Sequence, residues 1–331
     1  MIYVRADGNS RIGMGHVMRC LAMSEEITRQ GEQVTFIVAD DGAVDMIEKS
    51  GYKCHVLGTE FTEMESELPK LLEILPDGAK VLIDSYFVTE NYLRKIKEKC
   101  TVFYMDDLDI VPYPVDCVIN GNIYGEDIEY NMPMVLGGCK YAPLRKEYVE
   151  AKQQADPQHI LITTGSSDPH SITKKILAGI EMRPALLEKE IKIVCGRFNA
   201  DYEEIKAYEQ KYDNIEVLQN VPDMWNLMSK AMVAVTAGGT TMNELSCVGV
   251  PCVCFSFVDN QERVVSSYVE KGCAYFGGNY LSEGDEMIDY LCNSLEELVQ
   301  NEDLRKFYSD KVSKLVDGLG SVRIAETIIN F

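Results

Sequence analysis

Short apolar runs of four to seven residues alternate along the chain with longer stretches whose apolar positions recur every three or four residues. The first kind reads as buried strands and the second as helices packed on them. Met1 to Val4 opens the series. A polar, glycine-bearing loop follows, then a helix over Val17 to Gln30 with Val17, Leu21, Ser24 and Ile27 on one face and Gly31 as its stop. Strands are predicted at Gln33 to Ala39, Lys53 to Leu57, Lys80 to Asp84, Thr101 to Met105 and Cys117 to Asn120. Between them lie a helix at Val44 to Ser50, one running to Leu75 with Pro69 in its first turn, and one at Glu90 to Lys99.

From Tyr141 to Gln158 the pattern lapses into a polar stretch, and a second array then begins. Its strands are His159 to Thr163, Glu190 to Cys195, Ile215 to Leu218, Met232 to Thr236 and Pro251 to Phe257. The helices between them run to about Met182, over Asp201 to Tyr212 and Asp223 to Ser229, and from Thr241; another starts at Asn260, and three more close the chain. Alternating strands and helices imply right-handed crossovers and parallel sheets. The pattern predicts an α/β protein of two Rossmann-like domains, residues 1–145 and 159–318, joined by a linker over 146–158. The two face across a cleft at their strand ends, and a helix in 319–331 packs back on the first domain.

The 331 residues suffice for two cores, and 46% hydrophobic content places the chain among soluble globular proteins. A net charge of -21 argues against nucleic acid or an anionic membrane as partner. It also means that a phosphate must be held by backbone amides, helix starts and a few local cations. Eleven cysteines without C-x-x-C spacing and only four histidines argue against a zinc site and point to reduced thiols in a cytoplasmic protein; no metal and no cofactor are expected. No basic-then-apolar leader and no membrane-length apolar run is present. A monomer is expected.

Four loops then stand out, each after a strand and before a helix. In Arg5-Ala-Asp-Gly-Asn-Ser-Arg-Ile-Gly-Met-Gly-His16, Gly13 and Gly15 leave the backbone open to a ligand. The helix macrodipole beside His16 disfavours protonation and leaves a ring able to accept a proton, so His16 is either a general base or an ordinary helix-start residue. Gly165-Ser166-Ser167-Asp168 is a phosphate loop or a plain turn with Asp168 as cap. Ala237-Gly238-Gly239-Thr240-Thr241 offers free N–H groups and hydroxyls to a diphosphate, with Glu244 one turn on for a ribose diol. Asn260 and Gln261 carry carboxamides suited to sugar hydroxyls and acetamido groups, or to capping. Asp84 and Tyr86 sit at a strand end where doubly wound sheets bind ligands, although a tyrosine there commonly packs a rim. Asp106-Asp107 reads as a strand-end cap. The third-glycine position of a dinucleotide fingerprint is Met18, and there is no Walker loop.

These motifs occur in an order that resembles the UDP-sugar hydrolases of pseudaminic acid biosynthesis, the PseG family. The resemblance is carried by Arg5-Ala-Asp-Gly-Asn through His16 and Arg19, Asp84-x-Tyr86, Tyr141-x-x-Leu-Arg145, Gly165 to Asp168, Ala237 to Glu244, and Asn260-Gln261. It spans residues 1 to about 275. It implies a two-domain glycosyltransferase-B (GT-B) fold like that of MurG, acting without metal on a UDP-linked diacetamido-trideoxy sugar. Water would replace the sugar acceptor, and the anomeric bond would break with inversion. By the same resemblance His16 is the base and Tyr86 a supporting catalytic residue. Asn9, Gly13, Gly15, Gly165, Ser166, Gly238, Gly239, Thr240, Thr241, Glu244, Asn260 and Gln261 are expected to bind substrate. A glycosyltransferase of the same fold, a hydrolysing UDP-sugar 2-epimerase and a non-catalytic nucleotide-sugar sensor are the alternatives.

Overall fold

The computed structural model describes every residue except Val111. The chain forms two compact units, one of Met1–Arg145 with Gly318–Phe331 and one of Lys146–Asp317.

In the first unit seven strands pair in parallel: β1 Ile2–Ala6, β2 Val34–Val38, β3 Lys53–Val56, β4 Lys80–Asp84, β5 Thr101–Met105, β6 Cys117–Asn120 and β7 Val135–Gly137. Their order is β3-β2-β1-β4-β5-β6-β7. The chain therefore winds outward from β1 in both directions, and the gap between the loops leaving β1 and β4 is a topological switch point. Strands β1 and β2 are buried at every position, as strands covered on both faces must be. The first helix, Gly15–Arg29, is buried over most of its circumference because the final helix, Gly320–Asn330, packs against it within this unit. Gly320 sits so close to Ala142 that a Cβ there would lie 2.1 Å from its carbonyl oxygen.

The second unit repeats the plan with six parallel strands, β8 His159–Thr163, β9 Glu190–Cys195, β10 Ile215–Gln219, β11 Ala231–Ala237, β12 Cys252–Ser256 and β13 Tyr275–Asn279. Their order is β10-β9-β8-β11-β12-β13, so the switch point falls between β8 and β11. One face carries a core of Ile160, Ile162, Ile191, Ile193, Val233 and Val235 under the helices Ile172–Glu181 and Glu286–Gln300.

Several elements differ from the sequence expectation. β7 and β13 were not foreseen: β7 is three residues long, and β13 reads Tyr-Phe-Gly-Gly-Asn, whose glycines carry no strand signal. The helix expected to begin near Pro69 starts at Met64, leaving Pro69 inside it. The Asp201 to Tyr212 stretch divides into Tyr202–Lys206 and Tyr208–Lys211. Residues 146–158, read as a linker, are bound into the second unit. Glu147–Glu150 is a helical turn, and the N–H groups of Gln153, Gln154 and Gln158 donate to Val248, Ser229 and Lys230 at 2.8, 2.7 and 2.8 Å. Polar side chains in that stretch conceal backbone pairing that only tertiary structure supplies.

Candidate active site

The loop between β1 and the first helix is held by its own backbone and by Asn9. Asn9 and Gly13 exchange N–H···O bonds of 3.2 and 2.8 Å, and Gly13 takes a positive φ of 76°. The Asn9 carboxamide is committed to this loop: Oδ1 accepts from Arg11 N and Ile12 N at 2.9 and 3.2 Å, and Nδ2 donates to Asp40 at 2.8 Å. Below it Arg5, fully buried, forms a two-pronged pair with Glu67 at 2.7 Å and contacts Asp7 at 2.6 Å. Asp7 in turn accepts from Ala39 N, which ties β1 to β2. The loop is thus anchored on charge pairs that leave it little freedom.

His16 is the second residue of the helix that follows. The first in-helix bond runs from Met18 N to Met14 O, so the N–H groups of Gly15, His16 and Val17 lack an intrahelical acceptor. Gly15 is exposed, and a Cβ there would meet nothing within 4 Å. β1 and β4 pair with Ala6 opposite Asp84, which brings the carboxyl end of β4 beside this helix start. His16 Nδ1 lies 2.6 Å from Asp84 Oδ1. An aspartate facing Nδ1 fixes the tautomer with the proton on that nitrogen and leaves Nε2 as the lone-pair nitrogen.

Asp84 is itself clamped. Arg19, one turn beyond His16, donates from Nε to Oδ2 and from Nη2 to Oδ1, both at 2.6 Å. Burial alone would raise the Asp84 carboxyl, but Arg19 and His16 outweigh it and hold it well below the usual carboxylate range. Arg19 also reaches Asp107 at 2.8 Å. Asp107 accepts from Tyr86 Oη at 3.2 Å and from Asn122 Nδ2 at 2.8 Å. The Tyr86 ring stands edge-on to His16, 4.4 Å between centroids. Burial and the neighbouring Asp107 push the Tyr86 phenol far above its ordinary value, so it is a donor and a wall for the imidazole rather than a base.

The two adjacent aspartates, read together as a cap, divide the work. Asp106 caps the loop, accepting from Leu108 N, Asp109 N and Tyr113 Oη, whereas Asp107 joins the His16 cluster. Asp107 and Asn122 are residues the sequence reading did not place here, and Arg19, quoted there in the motif with His16, was given no role. Arg19 follows His16 by three positions on one helix and so shares its face, which was a usable signal. Asp107 and Asn122 each lie two residues past the end of the neighbouring strands β5 and β6, and only the pairing of those strands brings them in.

In the second unit, Thr163 lies opposite Thr236 in the β8–β11 ladder, so the Gly165 and Gly238 loops leave adjacent strand ends at the switch point. Gly165 is exposed with φ of 100° and Ser166 is half-buried. Asp168 takes the capping role: its carboxylate accepts from Ile172 N and Thr173 N, each at 2.8 Å. In the other loop, Gly239 and Thr240 are exposed, and the N–H groups of Thr240 and Thr241 donate to no described protein acceptor at the start of the helix Thr241–Val248. Glu244 is half-buried on that helix. Gly238 lets the next helix, Asp259–Glu270, come close: a Cβ on it would lie 2.6 Å from Val265 Cγ2 and 2.8 Å from Gln261 O. Gln261 uses its Oε1 to accept from Phe257 N at 3.0 Å, and Asn260 is exposed beside it without capping the helix. Gly165, Ser166 and the Gly238 to Thr241 loop therefore gather at one sheet end, with Gln261 against Gly238. Among the described residues no three His, Cys, Asp or Glu side chains converge as a metal-binding group, and no helix is long and apolar enough to cross a membrane.

Two all-parallel sheets of seven and six strands, each covered by helices in the Rossmann manner, make this a GT-B-type fold. The structure of Acinetobacter baumannii MurG matches 100% of this chain and 99% of its own with a TM-score of 0.68 at 17% identity. The glycosyltransferase family 28 C-terminal domain matches residues 135–315, more than half of the chain, and the protein belongs to that family. Over nearly its whole length it is 28% identical to the spore coat polysaccharide biosynthesis protein SpsG of Bacillus subtilis, covering 96% of this chain and 95% of the relative. It is 22% identical to the UDP-2,4-diacetamido-2,4,6-trideoxy-beta-L-altropyranose hydrolase of Campylobacter jejuni, covering 82% and 97% respectively. His16 and its partners lie outside the stretch the family domain covers.

Proposed function

We propose that this protein hydrolyses the anomeric C–O bond of a UDP-linked diacetamido-trideoxy sugar, releasing UDP and the free sugar with inversion. The reading is carried by the 2.6 Å contact between His16 Nδ1 and Asp84, which leaves Nε2 to take a proton. Water gives that proton to Nε2 as its oxygen attacks the anomeric carbon; the C–O bond to the diphosphate breaks, and its electron pair leaves with UDP. The imidazolium formed is stabilised by Asp84, which Arg19 keeps ionised. The N–H groups of Thr240 and Thr241, with their hydroxyls and the Gly165 loop, receive the charge that grows on the diphosphate. A diphosphate is a good leaving group, so no strong general acid is needed. Glu244, Asn260 and Gln261 are assigned to ribose and sugar, and Tyr86 to holding the imidazole. Similarity to the Campylobacter hydrolase supports water as acceptor.

Transfer of the sugar to a hydroxyl acceptor is the second reading, favoured by the glycosyltransferase domain over residues 135–315. The same base would then deprotonate that hydroxyl. Incubating the protein with the UDP-diacetamido sugar alone, and following the anomeric protons by NMR, separates the two. Hydrolysis gives UDP and a free sugar whose first-formed anomer is inverted. Release of UDP only on adding an acceptor establishes transfer instead, and binding without turnover a sensor.

A further inference from the structure

The loop that leaves β6 holds one side-chain carbonyl of the first unit open on a tightly braced base. Asn120, the last residue of β6, is fully buried. Its Oδ1 accepts from Asn122 N and Nδ2 at 3.1 and 3.0 Å, and its Nδ2 donates to Tyr130 Oη at 2.9 Å. Asn122 Nδ2 also donates to Asp107 Oδ1 at 2.8 Å. The backbone is held as closely. Gly125 N donates to Asn122 O at 2.8 Å, Gly138 N to Asn120 O at 2.9 Å, and Tyr124 Oη to Asp107 O at 2.8 Å. A Cβ on Gly121 would lie 2.7 Å from Tyr141 O, so the chain has no room to shift there.

Both amide hydrogens of Asn122 are thus spent on Asp107 and Asn120, which fixes the orientation of its carboxamide. Its Oδ1 accepts nothing from the described residues, and the half-buried side chain keeps that oxygen in contact with solvent. An immobile, open acceptor beside the catalytic cluster is what a preorganised ligand contact requires. The neighbours sharpen the match. Arg19 commits its guanidinium to Asp84 and Asp107, and Tyr86 Oη donates to Asp107. On this side of the imidazole the side chains therefore turn acceptors outward, the Nε2 lone pair and Asn122 Oδ1, while the Arg19 charge is already matched by two carboxylates. β6 lies two strand spacings from β4, about 10 Å, comparable with a hexose ring bearing one N-acetyl arm.

We propose that Asn122 Oδ1 accepts from an acetamido N–H of the sugar, so that Asn122 selects N-acylated substrates. An amide N–H can only donate and needs such an acceptor, whereas a sugar carboxylate would meet a second acceptor here. The inference rests on the substrate class proposed above, but it concerns binding and needs no turnover.

The test is calorimetric titration of the full chain carrying His16→Asn, so that ligand is bound without turnover. The ligands are UDP, the UDP-diacetamido sugar, and two analogues of it, each with one acetamido group replaced by hydrogen. Adding Asn122→Ala is expected to weaken the UDP-diacetamido sugar about tenfold and to leave UDP unchanged. With the analogue that lacks the partnered N–H, the same substitution is expected to cost nothing. Equal weakening of all three sugar ligands would make Asn122 a structural brace only and overturn the proposal, as would no weakening of any. If Asn122→Ala loses the circular dichroism of the parent, a crystal structure of His16→Asn with the UDP-diacetamido sugar decides instead. Asn122 Oδ1 is then expected within about 3.2 Å of an acetamido nitrogen, and both nitrogens lying out of hydrogen-bond reach would overturn it. Failure of the parent to release UDP removes the hydrolase reading alone, because the Asn122-dependent affinity is read without turnover.

Discussion

At the residue scale the account turns on how Asp84 is shared. It faces His16 on one side and both prongs of Arg19 on the other. Asp84→Asn keeps the shape but removes the charge, and its amide can donate to Nδ1 and move the ring proton to Nε2. Turnover is therefore expected to fall by roughly 10²–10⁴-fold with UDP affinity little changed, as read from kcat against KM. The same substitution strips a buried arginine of a partner, so denaturant unfolding should show a loss of about 3 kcal/mol or more. His159 makes a separate pH prediction. Its native value near 4 lies below the unfolded value near 6.5, so it stays neutral in the fold while the unfolded chain takes up a proton. The resulting stability is fully present above the unfolded value and is lost as pH falls toward 4, about 2 kcal/mol between pH 7 and pH 5. Urea unfolding of the parent and of His159→Phe at those two pH values tests it: that increment should vanish in the variant. Much of this scale was legible beforehand. His16, Gly13 and Gly15 declared themselves by a strand–loop–helix pattern, because local backbone needs select glycine. Asp107 did not, because its role depends on β5 lying next to β4 and β6.

At the scale of elements, the two switch points put the candidate loops where they are. β1 beside β4 brings Asp84 to His16, and β8 beside β11 brings Gly165 to the Gly238 loop. Parallel order around a first strand follows from alternating βα units, which is why the strands flanking the sites were predictable from apolar runs. β7 and β13 lie at sheet edges and were not, since short or glycine-bearing edge strands lack the apolar run that marks a central one. Asn9 and Asn260 carry a related lesson. Both carry carboxamides, but Asn9 is bound into its loop and Asn260 stands in solvent, a difference set by loop geometry. The contact between Gly238 and the helix Asp259–Glu270 yields a prediction. Gly238→Ala places a methyl 2.6 Å from Val265 and 2.8 Å from the Gln261 carbonyl, so the loop and helix must separate. UDP affinity, measured calorimetrically, should drop about tenfold or more while the first unit's fold is untouched.

At the scale of the whole molecule, the chain ends in the unit where it began. The helix Gly320–Asn330 buries Ile324, Ala325 and Ile328, and Ser321 donates to Leu144 O at 2.7 Å. Lys80 reaches Ile329 O at 2.7 Å, which ties this helix to the start of β4. Removing residues 318–331 should destabilise the first unit by roughly 3–6 kcal/mol from the two isoleucines alone. Unfolding followed by a first-unit probe should move to lower denaturant while UDP binding by the second unit persists; an unmoved transition would show that the helix is dispensable. Composition bears on function at this scale too. With a net charge of -21, an anionic substrate must be held by local donors, and the open N–H groups at Thr240 and Thr241 are donors of that kind.

The most direct test of the central claim is UDP release from the UDP-diacetamido sugar, without acceptor, by the parent protein and by His16→Asn. The account predicts steady release by the parent and none detectable by the variant, with UDP binding retained in both. Release by His16→Asn at the parental rate would contradict it, because the proton would then be leaving water by another route.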